Sequence, residues 1–87
     1  MNAAEVQSMI EAGLPGAQVR VSSPDDTHFE AVIVAPQFDG KRTIQRHQLV
    51  YGTLGALMGR EIHALSMQVL SPQEAAAAPA GGNPGRG

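Results

Sequence analysis

The stretch from Phe38 to Ser66, FDGKRTIQRHQLVYGTLGALMGREIHALS, decides the fold. It reads as a turn, a long helix, and then a strand whose first residues carry a histidine. Asp39-Gly40 marks the turn, because glycine reaches positive φ without steric cost. Thr43 is placed to cap the helix. From Ile44 to Met58, the residues Ile44, His47, Val50 or Tyr51, Leu54 and Leu57 or Met58 recur at helical spacing and predict one apolar stripe. Gly59 is placed to end the helix, with Arg60 favoured at the negative end of its dipole. Ile62 to Leu70 then has strand character: Leu65, Met67 and Val69 alternate with Ser66 and Gln68.

Working back towards the N-terminus, His28 to Ala35 predicts another strand, with Phe29, Ala31 and Ile33 on one face. Its second face, Glu30, Val32 and Val34, is half apolar, which suits a central strand. Ser23-Pro24-Asp25-Asp26-Thr27 is a loop by composition, and Ala17 to Ser22 before it alternates Val19 and Val21 with polar residues. Asn2 caps a first helix from Ala3 to about Glu11, which Gly13, Pro15 and Gly16 terminate. Towards the C-terminus, Pro72-Gln73-Glu74 suits a short helical turn. The division is one domain over residues 1–75 and a disordered tail rich in Ala, Pro and Gly over residues 76–87.

The order is αββαβ(α), an α+β domain with helices packed on a three-stranded mixed sheet. The short loop lets the first two strands pair as an antiparallel hairpin. The strand–helix–strand crossover makes a parallel pair. His28 opens one parallel strand and His63 nearly opens its neighbour, so both histidines fall at the same end of the sheet. Parity along the strands leaves the facing of the two rings open.

An 87-residue chain without cysteine has no disulfide framework, no nucleophilic thiol and no thiolate ligand of its own. A formal charge of −2 and 3% aromatic residues argue against a generic nucleic-acid binder, whose affinity comes from phosphate attraction and base stacking. Apolar runs are far shorter than a membrane span, so the expectation is a cytoplasmic domain with no membrane partner. Gly13-Leu14-Pro15-Gly16 and Gly52-Thr53-Leu54-Gly55 both match the GxxG clamp, but neither joins two helices as the clamp requires. No hydrolase, kinase or dinucleotide motif is present, and the chain is not expected to be an enzyme.

His63, between Ile62 and Ala64, reads either as a partly buried polar residue or as a metal ligand, since imidazole is the commonest metal-binding side chain. His28 reads as an exposed histidine beside an acidic loop, with the same alternative. His47 falls on the helix stripe and is expected to hydrogen-bond within the core. Lys41, Arg42 and Arg46 form a basic patch at a helix N-terminus: a solvated turn, or a docking point for an acidic partner or a nucleic-acid backbone.

The runs His28-Phe29-Glu30-Ala31-Val32-Ile33-Val34, Phe38-Asp39-Gly40, Arg46-His47-Gln48-Leu49-Val50-Tyr51, Ile62-His63-Ala64-Leu65-Ser66 and Ser71-Pro72-Gln73-Glu74 together resemble the BolA family. The likeness is closer to its short bacterial IbaG-type members and covers about residues 3–75. It implies a type II KH-like topology, usually with a small closing helix. It also implies an adaptor that pairs with a monothiol CGFS glutaredoxin and co-ligates a [2Fe-2S] cluster shared with that partner and glutathione. On the resemblance, His63 matches the family's histidine ligand, and His28 is the one candidate for the second ligand, which the family takes from the loop between the first two strands. Such mixed imidazole and thiolate ligation is similar to Rieske-type centres. The resemblance also implies a second reading, a nucleic-acid-binding stress regulator docking through Lys41, Arg42 and Arg46.

Overall fold

A computed structural model describes residues 1–77, and the chain follows the order α-β-β-α-β-α. Asn2 opens α1 (Ala3–Gly13) with a reciprocal cap: its Oδ1 accepts from the Glu5 amide at 2.9 Å, and Glu5 Oε1 accepts from the Asn2 amide at 2.8 Å. β1 (Gln18–Ser22) pairs antiparallel with β2 (His28–Val34), and β2 pairs in parallel with β3 (Ala64–Leu70). The sheet order is β1-β2-β3, so β2 is central. α2 (Thr43–Leu54) makes the crossover between the parallel strands, and α3 (Pro72–Ala77) closes the described chain. Among the described residues no helix is long and apolar enough to cross a membrane.

The alternating strand residues meet the helices on one face. Phe29, Ala31 and Ile33 of β2 are buried with Val6, Ile10 and Leu14 from α1 and its C-cap, and with Val50 and Leu54 of α2. The opposite face is open, and Val32 there is 42% exposed. Its apolar second face therefore belongs to a central strand that is covered on one side only. Gly13 lets α1 and α2 approach closely: a Cβ there would lie 2.5 Å from Thr53 Cγ2. One glycine of each GxxG match thus sits in a helix end rather than in a clamp.

The second helix departs from the sequence reading in three ways. It stops at Leu54 instead of running to Met58, because Gly55 adopts φ +57° and ψ −133°, open to glycine but strained for other residues. Gly59, with φ +85°, turns the chain later, inside the loop. Arg42, not Thr43, holds the cap position, and its amide donates to Gln45 Oε1 at 3.0 Å. The buried stripe is also rotated: it is Arg46, Val50 and Leu54, whereas Ile44 is 64% exposed. His47 makes no core hydrogen bond among the described residues; it packs edge-on against Tyr51, with ring centroids 6.3 Å apart.

Arg46 is the reason for the rotation. It is only 8% exposed and its guanidinium donates in three directions. Nε reaches the Lys41 carbonyl at 2.9 Å, and Nη1 reaches the Val69 carbonyl at 3.1 Å. Nη1 and Nη2 grip Glu74 at 2.6 and 3.1 Å, a bidentate pair. The guanidinium carbon lies 5.8 Å from the centre of the buried Phe38 ring. The Leu70 carbonyl faces β2, where it accepts from the Ala35 amide, so that of Val69 faces the free edge of β3. One side chain thus covers a sheet edge, satisfies the turn before α2 and anchors α3. At the other edge, Gln7 Oε1 accepts from the Val21 amide at 3.2 Å.

β3 starts at Ala64 rather than Ile62, because the Ile62 amide donates to the Leu57 carbonyl at 3.0 Å and its side chain is buried in the core. α3 reaches Ala77, two residues past the expected domain boundary at 75. The rest of the expected disordered tail, residues 78–87, lies outside the described residues.

The Arg46 grip, together with the Ser71 amide, holds the Glu74 carboxyl down to about 2. A carboxyl depressed on folding adds stability that is complete above its ordinary value of 4.5 and is lost as the pH falls through the folded value of about 2. Glu74→Gln should therefore melt below the parent at neutral pH, with the gap closing between about pH 4.5 and 2. Thermal melts of both proteins across that window check this; a gap independent of pH would contradict it.

Candidate end-of-sheet histidine site

The two candidate ligands meet through strand register. His28, the first residue of β2, stands opposite Ala64, the first residue of β3, so His63 is opposite Thr27. The contact is direct: the His63 amide donates to the Thr27 carbonyl at 2.9 Å. On the other side Ile62, fully buried, pins the chain into the core. His63 is thus held at both flanks by backbone and packing while its own side chain is exposed. Its imidazole makes no hydrogen bond within the described residues.

His28 is held differently. Its side chain is 61% exposed, and Nδ1 lies 2.7 Å from Asp25 Oδ2 and 3.1 Å from Thr27 Oγ1. Asp25 Oδ1 accepts from the amides of Thr27 at 3.0 Å and His28 at 2.8 Å. These bonds, the His28 amide foremost, hold the Asp25 carboxyl well below the usual carboxylate range. Ser23 Oγ donates to the His28 carbonyl at 2.6 Å and accepts from the Asp26 amide at 2.8 Å. Asp26 takes the left-handed conformation, φ +63°, that such a tight turn requires and that aspartate tolerates. Residues that read as loop by composition form a wired turn around one imidazole.

Strand parity gives His28 the open face of the sheet with Glu30 and Val32. The alternation stops at Ala64: Ile62, of the same parity as Ala64 and Ser66, is buried in the core, so His63 stands outside the pattern of the ladder. Both histidines are exposed at the same end of the sheet. Among the described residues no three His, Cys, Asp or Glu side chains come together as a metal-holding group. The donor set fits a shared metal group: two exposed nitrogens at one end, with the remaining ligands left to another molecule.

The basic patch does not form as a unit. Lys41 and Arg42 are exposed, but Arg46 is buried in its pair with Glu74 and is unavailable for docking. The patch also lies away from the histidines. Val69, which Arg46 reaches, pairs with Ile33, five residues along the ladder from His28, or roughly 17 Å at about 3.3 Å per residue. Asp25 and Thr27 are the site residues that sequence reading missed. The signal was an aspartate three residues before a histidine, the spacing of a turn in which a carboxylate bonds the backbone ahead of it.

A family model described as BolA-like protein matches residues 6–74. The acid stress protein IbaG of Escherichia coli (strain K12) is 35% identical over 71 residues, covering 80% of this chain and 83% of its own. The DNA-binding transcriptional regulator BolA of Haemophilus influenzae is 39% identical over 49 residues, 56% of this chain, which spans 48% of that relative's length. Among solved structures, a bolA protein homologue from Coxiella burnetii superposes with a TM-score of 0.78 at 38% identity, covering 87% of this chain and 97% of its own. With the family model matched over most of its length and the same fold in a relative of nearly equal size, the chain belongs to the BolA-like family.

Proposed function

We propose that this chain is a non-enzymatic adaptor that binds a monothiol CGFS glutaredoxin and co-ligates a [2Fe-2S] cluster with it, in iron–sulfur trafficking or iron regulation. The observation that carries the reading is the pair of exposed imidazoles at one end of the β2–β3 ladder, fixed by the bond from the His63 amide to Thr27, without a third ligand beside them among the described residues. Two imidazoles at this sheet end and no cysteine in the chain leave the thiolate ligands of such a cluster to another molecule. On the family resemblance, the partner's cysteine and a glutathione thiolate complete the set. His63 is the principal ligand of this chain and His28 the second. The cluster is cargo held between two proteins, and the residues of this chain supply donors, orientation and a docking surface.

A second reading, a DNA-binding regulator, draws on the name of the Haemophilus relative. Here it has less to work with: the net charge is −2, and Arg46 is committed to Glu74, leaving Lys41 and Arg42 at the entrance to α2. A promoter fragment whose retardation weakens steeply as salt rises would favour this reading over the adaptor.

Two predictions test the adaptor. His63→Ala should abolish the heterodimeric cluster while the complex without cluster survives, and His28→Ala should alter the cluster's visible circular dichroism less completely. Retention of the parent spectrum by His63→Ala would remove it as a ligand. Lys41→Glu with Arg42→Glu should slow association with the glutaredoxin at low salt and leave dissociation and melting unchanged. Charges so far from the histidines steer an encounter instead of sealing it, and the effect should fade near about 0.15 M salt, where the screening length is about 8 Å. Stopped-flow association across ionic strengths reads this; a parent rate insensitive to salt would rule it out.

A further inference from the structure

The turn between β1 and β2 holds an acidic side chain to which the shared-cluster reading gives no role. Asp25 spends one carboxylate oxygen on the amides of Thr27 and His28, at 3.0 and 2.8 Å. The other faces His28 Nδ1 at 2.7 Å. The Ser23 hydroxyl, bonded to the Asp26 amide and the His28 carbonyl, locks the same turn. The carboxylate is therefore oriented by the backbone before it meets the ring.

An ionised carboxylate only accepts, so the ring nitrogen facing it carries the hydrogen. In a neutral imidazole with hydrogen on Nδ1, the lone pair that can bind a metal is on Nε2. The Thr27 hydroxyl, 3.1 Å from Nδ1, can accept from the same hydrogen and does not oppose this arrangement. Metal-ligating histidines commonly give their second N–H to a carboxylate, which fixes the ring and its tautomer. Both Asp25 oxygens point at groups of its own turn, the position of a support for the ligand. The turn also acts on the other histidine, because the Thr27 carbonyl accepts from the His63 amide at 2.9 Å.

Resting on the shared-cluster reading, we propose that Asp25 is a positioning residue that fixes His28 as the Nδ1–H tautomer and presents Nε2 as its metal donor. One short turn then orders both donors of the site: Asp25 through the ring of His28, and Thr27 through the backbone of His63.

Asp25→Asn is the informative substitution. Its amide keeps an oxygen for the two backbone N–H groups and preserves the turn. In place of the second oxygen it offers an NH2, which donates, so Nδ1 becomes an acceptor and the ring hydrogen moves to Nε2. Two measurements on the full chain read the consequence. Nitrogen-15 NMR of the His28 ring in the protein alone, above neutral pH, should show the hydrogen on Nδ1 in the parent and on Nε2 in Asp25→Asn. A parent ring with its hydrogen on Nε2, or a ring unchanged by the substitution, overturns the proposal. In the cluster complex reconstituted with glutaredoxin and glutathione, Asp25→Asn should speed iron release to a chelator by about 10- to 100-fold, the usual cost of removing a ligand's support. In a His28→Ala background the same substitution should add nothing. Equal acceleration in both backgrounds would mean that Asp25 acts on the loop and not through the ring, and would also overturn the proposal. A parent complex that takes up no cluster would defeat the shared-cluster reading instead, and the ring NMR would still decide the role of Asp25.

Discussion

The parallel pairing of β2 with β3 sets His28 opposite Ala64, and it is closed at each end by a bond from outside the ladder. At the start of the strands, the His63 amide donates to the Thr27 carbonyl at 2.9 Å. At the far end, the Ala35 amide donates to the Leu70 carbonyl at 3.0 Å. A slip of one residue would exchange the core-facing Leu65, Met67 and Val69 for Ser66 and Gln68, so packing and terminal bonds enforce the same register. The two histidines are neighbours because of that register, although 34 residues separate them in the chain.

The division of labour follows from where charge is placed. The Arg46–Glu74 pair, over the Phe38 ring, serves the fold: it covers a strand edge and ties α2, β3 and α3 together. Burying a guanidinium is costly, and this one is matched by carbonyls on two sides and a carboxylate on the third. The Asp25–His28 pair at the opposite end of the ladder is exposed and contributes little to the core. It orders a side chain that faces solvent. Both exposed histidines lie at the strand end, where the ladder stops and side chains project into water.

The strand order, the central position of β2 and the parallel crossover were legible because Phe29, Ala31, Ile33, Leu65, Met67 and Val69 alternate cleanly, and His28 and His63 could be put at one sheet end from spacing alone. The face of α2 was not legible. Hydropathy ranks Ile44 above Arg46, and only the distant Glu74 and the carbonyls of Lys41 and Val69 make the arginine a core residue. Helix length was not legible either, because Gly55 and Gly59 both suit a C-terminus and both take positive φ, and the chain turns at the earlier one. The supporting carboxylate was hidden as well, since a composition-based loop reading at Ser23–Thr27 says nothing about which side chains bond which amides.

The central claim is that both imidazoles of this sheet end enter the coordination of a cluster shared with a thiolate-bearing partner. Pulsed electron paramagnetic resonance on the reduced complex, with nitrogen-15 histidine in this chain alone and an unlabelled glutaredoxin, tests it most directly. Two strongly coupled histidine nitrogens are predicted, both from this chain. A reduced cluster with no strongly coupled nitrogen would be ligated by thiolates alone, and would contradict the account.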